Sequence, residues 1–135
     1  MVAVASKPEM RPVEALMEQY RDDPMVNIRF GPHSPYICSP EVLRTLVEAA
    51  REKGGGIHLH VSETRRQVAE SREKHGKTPF QVVAEAGGFT VPCIVAHGLW
   101  IEEGDLPLLG KDTFIAVCPK TYMKLGAERG PIWDQ

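Results

Sequence analysis

The sequence predicts an α/β fold built on a parallel sheet. Segments with helical periodicity alternate with short apolar or period-two segments. Two Thr-x-x-Gln boxes mark helix starts, and glycine and proline clusters punctuate the chain between elements. The order is helix, strand, helix, strand, two helices, strand, short helix, strand. Such alternation implies right-handed crossovers and parallel pairing.

Residues 1–11 read as an irregular lead-in. Pro12 suits a first helical turn, and Val13, Leu16, Met17 and Tyr20 follow at i, i+3, i+4 and i+7. Asp22-Asp23-Pro24 ends that helix. A short strand over 26–30 is broken by Gly31-Pro32. Ser39 caps the next helix, with Pro40 at its first position and Leu43, Leu46, Val47 and Ala50 as its apolar stripe. Gly54-Gly55-Gly56 stops it. In 57–63, Ile57, Leu59 and Val61 alternate with His58 and His60, and Glu63 follows: a strand with one apolar face and one imidazole face. The boxes Thr64-x-x-Gln67 and Thr78-x-x-Gln81 predict helices over 64–75 and 79–86, the second ended by Gly87-Gly88. The continuous apolar run 93–96, closed by His97, predicts a strand buried on both faces. A short helix over 102–109 and a strand over 113–117 complete the pattern, and 123–125 reads as a helix start. The tail from 127 to 135 is irregular.

The bulk numbers exclude several classes. A net charge of −2 with scattered Lys and Arg argues against nucleic acid as a partner. The longest apolar stretches are too short to span a membrane. The start of the chain lacks a basic region before a long apolar core and does not read as a signal peptide. Cys38, Cys93 and Cys118 form no Cys-x-x-Cys pair, so they read as small packed hydrophobes in a reducing, cytoplasmic compartment.

The polar candidates fall at strand ends: His33 after the first, His60 and Glu63 after the second, His97 after the third, Lys120 and Lys124 after the fourth. In a parallel α/β protein these ends share one edge, where binding sites form. Each residue also has a plainer reading. His33 fits a hydrogen bond to its own turn, and His58 a packed, hydrogen-bonded histidine. His75 fits a solvated helix end. A buried strand seldom carries two histidines on one face unless they bind something, because unpaired polar groups are costly to bury. Imidazole with a nearby carboxylate is the raw material of a hydrolytic metal site.

Four segments in order, FGPHSPYICSPE at 30–41, IHLHVSETRR at 57–66, VAHGLW at 95–100 and CPKTYMKL at 118–125, resemble the amidohydrolase superfamily. The nearest branch resembles methylthioadenosine/S-adenosylhomocysteine deaminases and their chlorohydrolase-like relatives. The resemblance implies a (β/α)₈ barrel with a divalent metal, zinc or iron, acting on a purine nucleoside or related aminated ring. It implies that His60 is the metal ligand of the fifth strand. Glu63 then moves a proton between metal-bound water and the ring nitrogen, His97 holds the attacking hydroxide, and His33 contacts substrate.

The family also uses a His-x-His pair on its first strand and an Asp on its eighth, which this sequence does not supply. A (β/α)₈ barrel takes about 250 residues. The 135 residues therefore read as one partial domain covering strands four to seven, about half a barrel. At the seventh-strand loop Val117-Cys118-Pro119 and Tyr122 stand where the family shows His-Asn-Pro and Asn. The chain alone is expected to be inactive and to associate with a second copy or a complementing barrel segment. Two alternatives remain: a non-catalytic half-barrel, and a small flavodoxin-like binding module. The latter explains the alternation but not the histidines at two strand ends.

Overall fold

A computed structural model describes residues 7–134 of the chain. Among these residues, five α-helices, α1 (Lys7–Gln19), α2 (Pro40–Glu52), α3 (Arg65–His75), α4 (Pro79–Glu85) and α5 (Pro119–Leu125), accompany three strands, β1 (Ile57–Val61), β2 (Cys93–His97) and β3 (Thr113–Ala116). The strands lie side by side in the order β1-β2-β3 and all pair in parallel. Val61 stands opposite His97, and Ala96 opposite Ala116, so the strand ends are level.

Local chemistry sets the helix boundaries. Ser39 accepts from the Val42 amide at the start of α2, with Pro40 first in the helix. Both Thr-x-x-Gln boxes form in full at α3 and α4. Left-handed Gly76 and Gly126 end α3 and α5. At Gly56 the backbone of β1 approaches the Pro92 carbonyl so closely that a Cβ would collide with it.

Among the described residues, helices cover one face of the sheet. Leu43, Val47 and Ala50 of α2 and Phe80 and Val83 of α4 bury Ile57, Leu59, Val61 and Val95. Burial also pushes the thiol of Cys93 on β2 up to about 12, the Arg29 guanidinium working against it. Cys38 is buried too, while Cys118 is half-exposed. A second anchor lies between α4 and the 3₁₀ segment Glu103–Leu108. Asp105, buried, accepts from the Thr78 hydroxyl at 2.6 Å and from the Glu102 amide at 3.0 Å.

Several expectations are corrected. The 26–30 strand reduces to one bridge, Phe30 to Ile57. Its outer side has no partner among the described residues, and Gly31-Pro32 breaks it. The helix expected after Pro12 begins at Lys7, so residues 7–11 are not irregular; Pro12 lies inside it. The irregular reading of 1–6 and of 135 falls outside the described residues. In the tail, Pro131–Asp134 form a 3₁₀ turn. The helix over 102–109 is 3₁₀ over Glu103–Leu108, and 123–125 closes α5 rather than opening a helix. His58 is not packed: it is exposed on the uncovered face, and its ring makes no hydrogen bond among the described residues. β2 is buried on its helix face, but Ile94 is only partly covered on the other.

Replacing Thr78 with Val keeps the side-chain shape but removes both the cap and the donor to Asp105. The expected loss is about 1–3 kcal/mol of stability, read as a lower urea midpoint with an unchanged slope.

Candidate active site

The polar residues at the level strand ends come together. His33 hangs from the loop after the Phe30 bridge, His60 is the fourth residue of β1, Glu63 lies two residues beyond β1, and His97 ends β2. The ring centroids of His33 and His60 are 4.8 Å apart, and those of His60 and His97 5.4 Å apart and stacked. Tyr122, reaching in from α5, places its ring 5.8 Å from that of His97. Lys120 and Lys124 do not join the group; both are exposed on α5.

His60 is oriented by backbone. Its Nδ1 lies 2.9 Å from the His33 carbonyl oxygen, which also accepts the His60 amide. A carbonyl only accepts, so Nδ1 carries the proton and Nε2 keeps a free lone pair. In its neutral form, that is the tautomer an imidazole needs to bind a metal through Nε2. The His33 ring in turn meets the Ser34 hydroxyl at 3.0 Å through Nδ1.

His97 reaches the group through an unusual backbone. In a parallel ladder, paired residues share a face, and His97 pairs with Val61. Regular alternation therefore puts its ring on the helix-covered side. With φ 75°, its Cβ swings to the side of His60. Its Nε2 stands 3.5 Å from Glu63 Oε1, while its Nδ1 is buried with no hydrogen-bond partner among the described residues. Burial holds the His97 imidazole below its ordinary value; Glu63 opposes this and His60 adds to it. The pair is thus a carboxylate against a largely neutral imidazole. Ser62, between His60 and Glu63, is also left-handed at φ 50°.

Sequence reasoning missed two contributors. Tyr122 turns a hydroxyl that has no hydrogen-bond partner among the described residues into the buried side of the site, and burial raises it above the ordinary tyrosine value. Tyr36 bonds the Ser62 amide. Position in a motif was the only signal either residue offered.

For a divalent metal, the donor set fits as one ligand rather than a complete shell. His60 presents a correctly protonated imidazole, but no group of three or more His, Cys, Asp or Glu with metal-holding geometry occurs among the described residues. Nor, among them, is any helix long and apolar enough to cross a membrane.

Known proteins resemble the chain in sequence and in fold. The model of the amidohydrolase family matches residues 2–135. The chain is 40% identical over 113 residues to a 5-methylthioadenosine/S-adenosylhomocysteine deaminase of Pelotomaculum thermopropionicum, covering 83% of this chain and 26% of that protein. A deaminase of the same name from Thermoanaerobacter pseudethanolicus is 38% identical over 133 residues, 96% of this chain and 31% of its own length. The chain thus spans between a quarter and a third of these relatives. Among solved structures, a zinc-bound adenosine deaminase from Xanthomonas campestris superposes with a TM-score of 0.84 at 26% identity, over 95% of this chain and 30% of that one. A guanine deaminase from C. acetobutylicum shares the fold at a TM-score of 0.78 and 21% identity, over 94% of this chain and 32% of its own.

Because folding holds His97 below its unfolded value of 6.5, the unfolded chain takes up a proton first as the pH falls. Stability is therefore full above that value and declines below it. The urea midpoint should drop between about pH 8 and about pH 5, and His97→Phe should flatten that slope.

Proposed function

The chain belongs to the amidohydrolase family, and from that premise we propose that it is the part of a metal-dependent hydrolytic deaminase that carries one metal ligand and the proton-transfer pair. Its residues form one partial domain. In this reading the Phe30 bridge segment, β1, β2 and β3 are strands four to seven of a (β/α)₈ barrel. The reacting molecule is a purine nucleoside or a related aminated ring, in keeping with the names of the relatives.

The observation that carries the reading is the His60 tautomer, fixed by the His33 carbonyl, beside a His97–Glu63 pair at the same sheet edge. His60 Nε2 would hold the metal, zinc or iron. Such a metal is a Lewis acid that makes water nucleophilic near neutral pH. Glu63, half-exposed, takes one proton from the attacking water to the ring nitrogen, and then carries the second, from the hydroxyl left on the ring carbon, to the departing amine. Largely neutral, His97 accepts a hydrogen bond or donates one as the charge at the reacting carbon changes. His33, on the rim, contacts substrate.

One imidazole does not hold a catalytic metal, since such centres use about three protein ligands. The 135-residue chain by itself is therefore inactive in this reading, and its partner is a complementing barrel segment or a second copy. The uncovered face supports that. It forms a trough lined by Arg29, His33, His58, His60 and Ile94, and Arg29 Nη1 there is buried without a hydrogen-bond partner among the described residues. Phe114 on β3 is 62% exposed, Met123 76% and Leu125 70%. A non-catalytic, self-associating half-barrel is the second reading these exposures favour. The setting is cytoplasmic, without nucleic acid or membrane partners, which the free cysteines and scattered charge support.

Mixed with zinc and with barrel segments that supply the remaining ligands, the chain should release ammonia from adenosine-type nucleosides. Glu63→Gln should slow this by roughly 10²–10⁴-fold, and His60→Ala should weaken zinc retention without abolishing it. Ammonia release by the chain alone, or none from the zinc-loaded mixture, contradicts the proposal. For the uncovered face, sedimentation of the chain alone should show dimers at micromolar concentration; a clean monomer removes the self-associating reading.

A further inference from the structure

Tyr36 lies in the loop that leaves the Phe30 bridge, and the chemistry above gives it no part. Its hydroxyl oxygen nevertheless accepts the Ser62 amide across 26 positions of sequence. Ser62 is fully buried and sits at φ 50°, a backbone region that L-residues other than Asn, Asp and Gly seldom occupy. Such a conformation persists where its surroundings enforce it. The Ser62 carbonyl is held by the Trp100 amide at 2.9 Å. Its amide depends on Tyr36.

The turn has a consequence one residue later. With Ser62 extended, the chain continues along β1 and carries Glu63 past the level of His97. With Ser62 left-handed, the chain folds back before Thr64 caps α3, and Glu63 Oε1 comes to 3.5 Å from His97 Nε2. The phenol ring itself is well placed to hold this corner. Burial raises the Tyr36 hydroxyl far above its ordinary value, the Ser62 and Glu63 amides acting against that rise.

We propose that Tyr36 is a positioning residue: its hydroxyl oxygen holds the Ser62 amide, and so locks the left-handed turn that aims the Glu63 carboxylate at His97. The inference rests on reading Glu63 and His97 as the proton-transfer pair. It makes the loop after the first bridge part of that pair's support, although the loop touches neither side chain through a hydrogen bond.

The test uses Tyr36→Phe, which removes one oxygen and keeps the ring. Two quantities are followed in the 135-residue chain at fixed neutral pH: amide hydrogen exchange, and the ¹⁵N shift of the His97 ring, with Glu63→Gln as reference. Exchange at Ser62 should rise about tenfold or more while the β1 amides stay protected. The His97 signal should move to the position it takes in Glu63→Gln. A His97 signal that stays at the wild-type position, or that Glu63→Gln does not shift either, overturns the proposal. Should Tyr36→Phe fail to fold, Tyr36→Phe with Ser62→Gly restores an unstrained turn, because glycine enters this region freely. Glycine permits the turn without enforcing it, so the His97 signal should again match Glu63→Gln, and a wild-type signal again overturns the proposal. Neither readout uses metal or turnover. Failure of the strap leaves the proton-transfer reading standing. A reconstituted enzyme indifferent to Glu63→Gln sinks that reading and leaves the strap in place.

Discussion

Strand β1 is hydrogen-bonded on both sides, by the parallel ladder to β2 and by the Phe30 and His33 carbonyls of the preceding segment. The second of these contacts sets the site. One carbonyl, that of His33, takes both the main-chain amide and the ring Nδ1 of His60. It therefore fixes the strand register of the loop and the tautomer of the imidazole together. Remove it, and His60 can rotate or exchange its proton between ring nitrogens; the alignment of His33, His60 and His97 then has no common frame. The apolar face beneath supplies rigidity, since Leu59 and Val61 are sealed by α2 and α4 and leave the strand no room to slip. A one-residue slip would bury both histidines and expose three core side chains.

Much of this was readable from residue pattern. The alternation of Ile57 to Val61 named the strand and its two faces, and the Thr64 and Thr78 boxes placed α3 and α4 to within a residue. Those signals are local, and local hydrogen bonding decides the outcome. The strand at 26–30 failed for the opposite reason: a strand needs neighbours, and this segment has β1 alone and then a proline. His58 departs from its expected packing likewise, because packing there depends on whatever covers the open face, which no local pattern reports.

The site's most informative geometry gave no advance sign. Period-two alternation places His97 on the wrong face for a meeting with His60. It gets there through a left-handed residue that is not glycine, as Glu63 does through Ser62. Composition favours neither conformation at these positions; tertiary contacts impose both. Two strained residues at adjacent strand ends, flanking one carboxylate–imidazole pair, are the pattern expected where function, rather than stability, has set the backbone. Polarity is distributed to match: the groups that would change protonation cluster at one edge, and the buried Asp105–Thr78 contact elsewhere ties helices together without sharing in that chemistry.

The central claim is that His60 supplies one ligand of a divalent metal centre and that its neighbours do not. X-ray absorption at the zinc edge, on the chain reconstituted with complementary barrel segments, addresses it directly. His60→Ala should lower the number of imidazoles in the zinc shell by one, while His33→Ala should leave the shell unchanged. An unchanged shell in His60→Ala would contradict it.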